Sequence, residues 1–191
     1  MGRSGDPRKR HASPPQPDVD DTIITIVPVR DPDASARCLL SWQGHDWTAG
    51  VERVRATAVD LVTAAAWADL MMLLIVRTRL DAGTVGAMAG DLLQRSGRTE
   101  LGNKATVTLL PVGSTAARTP LVLLRRGHLQ GVLTTPAARQ MGLDWLAVAE
   151  AAENDQFVAE ALRTAGAMPA DRIEGLFAYL RELRSTGTSR G

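Results

Sequence analysis

Two histidines stand at matching places in this 191-residue chain, His45 after Gly44 and His128 after Gly127. Imidazoles bind metals and shuttle protons near neutral pH, so this pair is the first candidate for chemistry. A zinc site needs four ligands, three of them from protein at a catalytic centre, and neither histidine has a second His or a Cys at ligand spacing. The pair is therefore expected to make hydrogen bonds in turns, and no metal and no cofactor is assigned. Cys38 is the single cysteine and lies in an apolar run, which excludes an internal disulfide and predicts a buried, inert thiol. No glycine-rich phosphate loop, HExxH helix or nucleophile motif is present, so neither an enzymatic activity nor a small-molecule ligand is inferred.

Basic residues offer a different chemistry, contact with phosphate. Arg8, Lys9 and Arg10 cluster near the N-terminus, Arg125 and Arg126 sit at an expected hairpin turn, and Arg139 follows. The stretch TTPAARQMGLDWLAVAEAA, Thr134 to Ala152, resembles a DNA-binding helix-turn-helix. Small Ala138 lies four residues before the turn candidate Gly142, and Ala137, Met141, Leu143 and Val148 fall where the two helices would pack. The same stretch also reads as a structural helical corner, because Glu150, Glu153 and Asp155 precede the first basic residue, Arg163, and phosphate repels an acidic helix. Contacts with another protein have their own candidates. Trp42 and Trp47 flank a turn and could form an aromatic platform. Ala65 and Ala68, in an alanine-rich helix, would let another helix approach closely, from this chain or from a second copy.

The elements that must position these residues are legible from patterning. β-branched and aliphatic runs predict strands over Thr22 to Val29, Arg37 to Trp42 and His45 to Thr48, with a tight turn at Gln43-Gly44. Pro28 implies a sheet edge or a bulge, because proline cannot donate to a ladder. Apolar residues at helical spacing predict a long helix from about Thr48 to Arg79, and Asp81 is an N-cap for a shorter one reaching Arg95. Strands then recur over Thr106 to Val112, Pro120 to Arg125 and Leu129 to Leu133. A helix broken at Gly142 follows, with Asp144 capping its second piece, and a final amphipathic helix spans Ala170 to Arg184.

The recurrence has a sequence signature: Ile24 to His45 is echoed by Val107 to His128 at an offset of 83 residues, ITIVPV meeting VTLLPV and LLSWQGH meeting VLLRRGH. The expected fold is α+β, with two duplicated strand-hairpin-helix units whose small antiparallel sheets pack against a shared helical layer. Residues 1–21 read as a disordered, basic and Pro-rich tail, 22–96 as the first half, 97–105 as a connector, 106–184 as the second half and 185–191 as a frayed end.

Composition bounds the function. The hydrophobic share of 45% and charged share of 23% are ordinary for a globular protein, and a net charge of +1 gives no overall pull toward nucleic acid. Arginine outnumbers lysine 20 to 2, a bias of GC-rich genomes. The apolar run Leu61 to Val76 raises the question of a membrane span, but Asp60 and Asp69 would each cost about 2.5–3.5 kcal/mol near the centre of one, so no membrane is assigned. Residues 1–21 lack the apolar segment of a secretory signal, and the cytoplasm is the expected compartment. These readings point to a non-enzymatic, DNA-associated accessory or regulatory protein of a GC-rich bacterium, phage or plasmid, with double-stranded DNA as partner. The alternative is a protein-interaction or structural module that self-associates or acts as an assembly adaptor.

Overall fold

A computed structural model describes residues 22–30, 35–78, 80–95, 107–114, 118–166 and 168–187. The expected N-terminal tail with Arg8, Lys9 and Arg10, the connector 97–105 and the last residues, 188–191, lie outside the described residues. The chain runs β1 (Ile24–Arg30), β2 (Ala36–Trp42), β3 (His45–Gly50), α1 (Val51–Thr78), α2 (Ala82–Arg95), β4 (Thr108–Ser114), β5 (Thr119–Arg126), β6 (Leu129–Thr134), α3 (Thr135–Thr164) and α4 (Ala170–Gly187). It is an α+β fold of two separate antiparallel three-stranded sheets, β1-β2-β3 and β4-β5-β6, packed against helices.

Each sheet is a meander whose inward face alternates as a half-buried strand should. In β2 the inward residues are Cys38, Leu40 and Trp42, and in β5 they are Val122 and Leu124. Pro28 lies in β1, an edge strand, as its missing N–H requires. The two long helices then exchange sheets. Helix α1 leaves the first sheet and packs on β4 and β5 of the second, while α3 leaves the second and packs on β1 and β2 of the first. One core results, holding Leu40, Trp42 and Leu61 together with Leu124, Leu133 and Trp145.

The two units match in register more closely than in sequence. Pro28 pairs with Cys38 and Pro111 with Val122, so β1 and β4 correspond at an offset of 83, whereas the residues that pair with the prolines differ by 84. From β2 onward the offset stays at 84: α1 begins at Val51 and α3 at Thr135, and buried Val54, Ala58, Leu61, Ala65 and Ala68 correspond to buried Ala138, Gly142, Trp145, Ala149 and Ala152. The single offset of 83 that aligns the sequences is therefore one residue out for the hairpins. The first turn has positive φ at Gln43 and Gly44, as in a type I′ turn; the second has it at Gly127 alone, followed by His128, the φ pattern of type II′. The second turn is Gly127-His128, so Arg125 and Arg126 end strand β5 and do not sit in the turn where the sequence places them.

Gly142 is the main departure from expectation. Thr135 to Thr164 is one uninterrupted helix of 30 residues, so no helix-turn-helix forms, and Asp144 is not an N-cap but accepts a bond from Gln140 Nε2 at 2.9 Å. Glycine costs up to about 1 kcal/mol in a helix interior, and here tertiary packing explains it. A Cβ on Gly142 would lie 2.8 Å from the carbonyl oxygen of Ala58 and 2.9 Å from Val62 Cγ2, so the glycine is what lets α1 and α3 cross. Asp81 does cap α2, accepting from Thr84 N–H at 2.9 Å. Helix α4 buries Ile173 and Phe177 against Ala159 of α3 and runs on through Gly187.

Helix α1 is long and apolar enough to cross a membrane by length and composition. Its inner stripe is nevertheless buried in the shared core, in an architecture of the water-soluble type.

Replacing Gly142 by Ala should lower stability by about 1–2 kcal/mol despite alanine's better helix propensity, because backbone blocks the added methyl. Gly175→Ala in α4, where a Cβ meets nothing within 4 Å, should raise it by roughly 0.5–1 kcal/mol. Urea denaturation of both variants reads the difference, and a stabilising Gly142→Ala would contradict the crossing.

Candidate functional site

The tips of the two sheets are joined. The His45 and His128 rings meet edge to face, with centroids 5.1 Å apart, and the Arg126 guanidinium stacks over the Trp47 ring at 3.9 Å. Thr22, just before β1, donates its hydroxyl to the Val132 carbonyl and accepts from the Val132 N–H, both at 3.1 Å, which satisfies one residue on the outer edge of β6. Gly131 permits this approach, since a Cβ there would lie 2.5 Å from Thr22 Cγ2 and 3.0 Å from Trp42.

These contacts reassign several residues read as surface candidates. Trp42 is fully buried and Trp47 lies partly buried beneath Arg126, so the two do not form an exposed platform. Both face the core because β2 and β3 pair Leu40 with Trp47 and Trp42 with His45, placing them on the sheet's inner side. Arg126 is likewise not a free basic wing. Arg139 pairs with Asp69 of α1, and the Thr135 hydroxyl donates to the same carboxylate at 2.9 Å, so Arg139 braces the helix crossing. Ala65 and Ala68 do receive a close neighbour, but it belongs to this chain's own fold and buries both completely. Arg125 alone among the candidate arginines of the described residues is exposed and without an ion pair.

The acidic residues of α3 have structural employment. Arg55 of α1 donates to Glu52, Glu150 and Glu153, with contacts of 2.7–3.2 Å to the first two and 2.8 Å to one Glu153 oxygen. The Glu153 bond, followed by Glu150, pushes the Arg55 guanidinium to a still higher pKa, and Arg55 in turn holds Glu153 below the usual carboxylate range. Asp155 receives both terminal nitrogens of Arg184 at 2.6 and 2.8 Å, tying α4 to α3. Exposed pairs of this kind contribute about 0–1 kcal/mol each and serve mainly orientation.

Two features were not visible from residue types. One is the outer face of α1, where Val59, Thr63, Ala66, Leu70 and Leu73 recur at alternating steps of four and three, with Leu70 42% and Leu73 53% exposed. The other is a cavity of about 230 Å³ beside the start of α1, bordered by Thr48, Gly50, Arg53, Val54, Leu40 and Trp145. Among the described residues no group of three or more His, Cys, Asp or Glu side chains could hold a metal ion. No family model, no curated protein and no solved structure matches this chain.

Burial pushes the Cys38 thiol up to about 11. At pH 8 roughly one thiol in a thousand is then ionised. Native protein should resist an aromatic disulfide reagent at pH 8 and react within seconds once denatured; rapid labelling of the native state would place Cys38 outside the core.

Proposed function

We propose that this chain is a non-enzymatic interaction module that assembles as a homodimer through the outer face of α1. The observation that carries this reading is the spacing of that face. Steps of four and three residues make a seam with a 3.5-residue period, the pattern by which one helix packs along another, and the inner face of α1 is already occupied by α3. The seam covers about two heptads, which suits a helix pair inside a compact dimer rather than a long coiled coil.

Charge argues for a second copy as the occupant. Between Asp60 and Arg77 the helix carries one charged residue, Asp69, and it is neutralised by Arg139 within the chain. The seam thus offers no charge for a charged partner to recognise. Two copies running antiparallel about a twofold axis bring opposed helix dipoles together. Small Ala66 lies at the middle of the seam, where two backbones would approach most closely. The cytoplasm of a GC-rich bacterium, or the interior of a cell bearing its phage or plasmid, is the compartment that fits this composition.

A DNA-associated accessory role is the second reading. Its support is the exposed Arg125 together with Arg8, Lys9 and Arg10 in the sequence. It predicts binding to double-stranded DNA that weakens steeply with salt.

Light scattering at rising concentration should give a particle of twice 20.4 kDa. Leu70→Glu with Leu73→Glu should weaken the dimer by at least about a hundredfold while leaving the monomer folded, because both side chains are already half exposed. A monomer at high concentration overturns the assembly reading, and the absence of any salt-dependent shift on mixed DNA fragments overturns the other.

A further inference from the structure

The two long helices begin differently. At α3 the Thr134 hydroxyl accepts from Ala137 N–H, capping the first turn. The corresponding position before α1 is Gly50, which has no side chain to offer. A helix start leaves N–H groups without partners inside the helix and concentrates positive charge there, a setting that favours an anion.

The 230 Å³ cavity lies where the first unit is left open. Trp145 lines it, is only 2% exposed, and keeps an indole N–H with no hydrogen-bond partner. That group can only donate, so its burial calls for an acceptor. Arg53 at the mouth is exposed and has no carboxylate partner among the described residues. The rest of the lining is mainly apolar, with Leu40, Val54 and the Trp47 ring.

We propose that this cavity binds a compact carboxylate attached to an apolar body. The carboxylate sits at the start of α1 beside Arg53, the apolar body lies against Leu40, Val54 and Trp47, and the Trp145 N–H donates to a ligand oxygen. Sites for drug-sized ligands run to about 300–1,000 Å³, so this smaller space suits one aromatic or branched amino-acid unit. That unit is either a free acid or the C-terminal residue of a chain. The site does not depend on self-association.

N-acetyl-phenylalanine, titrated into the full-length protein, should shift the Trp145 indole N–H resonance to saturation at low-millimolar concentration, the resonance being assigned by its loss in Trp145→Phe. N-acetyl-phenylalaninamide should bind about tenfold more weakly or worse, since it lacks the charge. Gly50→Thr, which copies the Thr134 cap at a position where a Cβ meets nothing within 4 Å, should weaken the acid by a similar factor without lowering the thermal midpoint, as should Arg53→Gln. A tetrapeptide ending in Phe distinguishes the sources: tighter binding than the free acid, lost on amidation, identifies a chain end, and weaker binding identifies a free acid. No shift at low-millimolar acid, equal binding of acid and amide, or wild-type affinity in both variants would overturn the proposal.

Discussion

Where α1 crosses α3, the carbonyl of Ala58 fills space that any side chain at residue 142 would need. Helix pairs separated by large side chains keep their axes about 8–10 Å apart, and small residues at the crossing bring the backbones nearer. Ala58 and Gly142 occupy corresponding positions in their helices, so the tightest contact joins like positions of the two units. Around it the Arg55 cluster and the Asp69–Arg139 pair fix how the helices are turned. The crossing in turn sets where each sheet can lie, because each helix must reach across to cover the sheet of the other unit.

Exchange of helices explains why the two sheets share one core. Leu61 and Ala65 of α1 and Trp145 and Ala149 of α3 belong to one cluster with strand residues from both sheets. A sheet with one apolar face must bury it against another layer. Here that layer comes from the opposite half of the sequence, and the contact holding the sheets together is long-range. The joined hairpin tips, with Arg126 over Trp47 and Thr22 against Val132, close the same assembly at its other end.

Patterning carried the fold as far as local rules reach. β-branched and aliphatic runs between turn residues located all six strands within a few residues, and helical spacing identified the buried stripe of α1, including Val54, Ala58 and Leu61. A glycine required by a crossing and a glycine required by a turn look alike in one dimension, and at Gly142 only the carbonyl of Ala58 separates them. Glu150, Glu153 and Asp155 appeared as repulsive surface charge because their arginines, Arg55 and Arg184, lie on other elements. Trp42 and Trp47 had a face that strand alternation implies, and the pairing of Trp47 with Leu40 is the signal that would have placed both inside. The outer seam of α1 was hidden by the apolar run itself, since a helix apolar on nearly every side does not reveal which stripe is spare.

The two units differ in what they leave unsatisfied. In the second, Arg126 is spent on Trp47 and the helix that follows is continuous, capped by Thr134 and pinned by Arg139. Thr22 satisfies one residue on its outer strand edge. In the first unit the equivalent cap is absent at Gly50 and an apolar seam runs along the exposed side of α1, while Trp145 of α3 keeps an unpaired donor at the cavity beside that uncapped start. A frame that caps the start of one long helix with a threonine has the means to cap both. The uncapped start of α1 is therefore where unsatisfied chemistry remains for a ligand to complete.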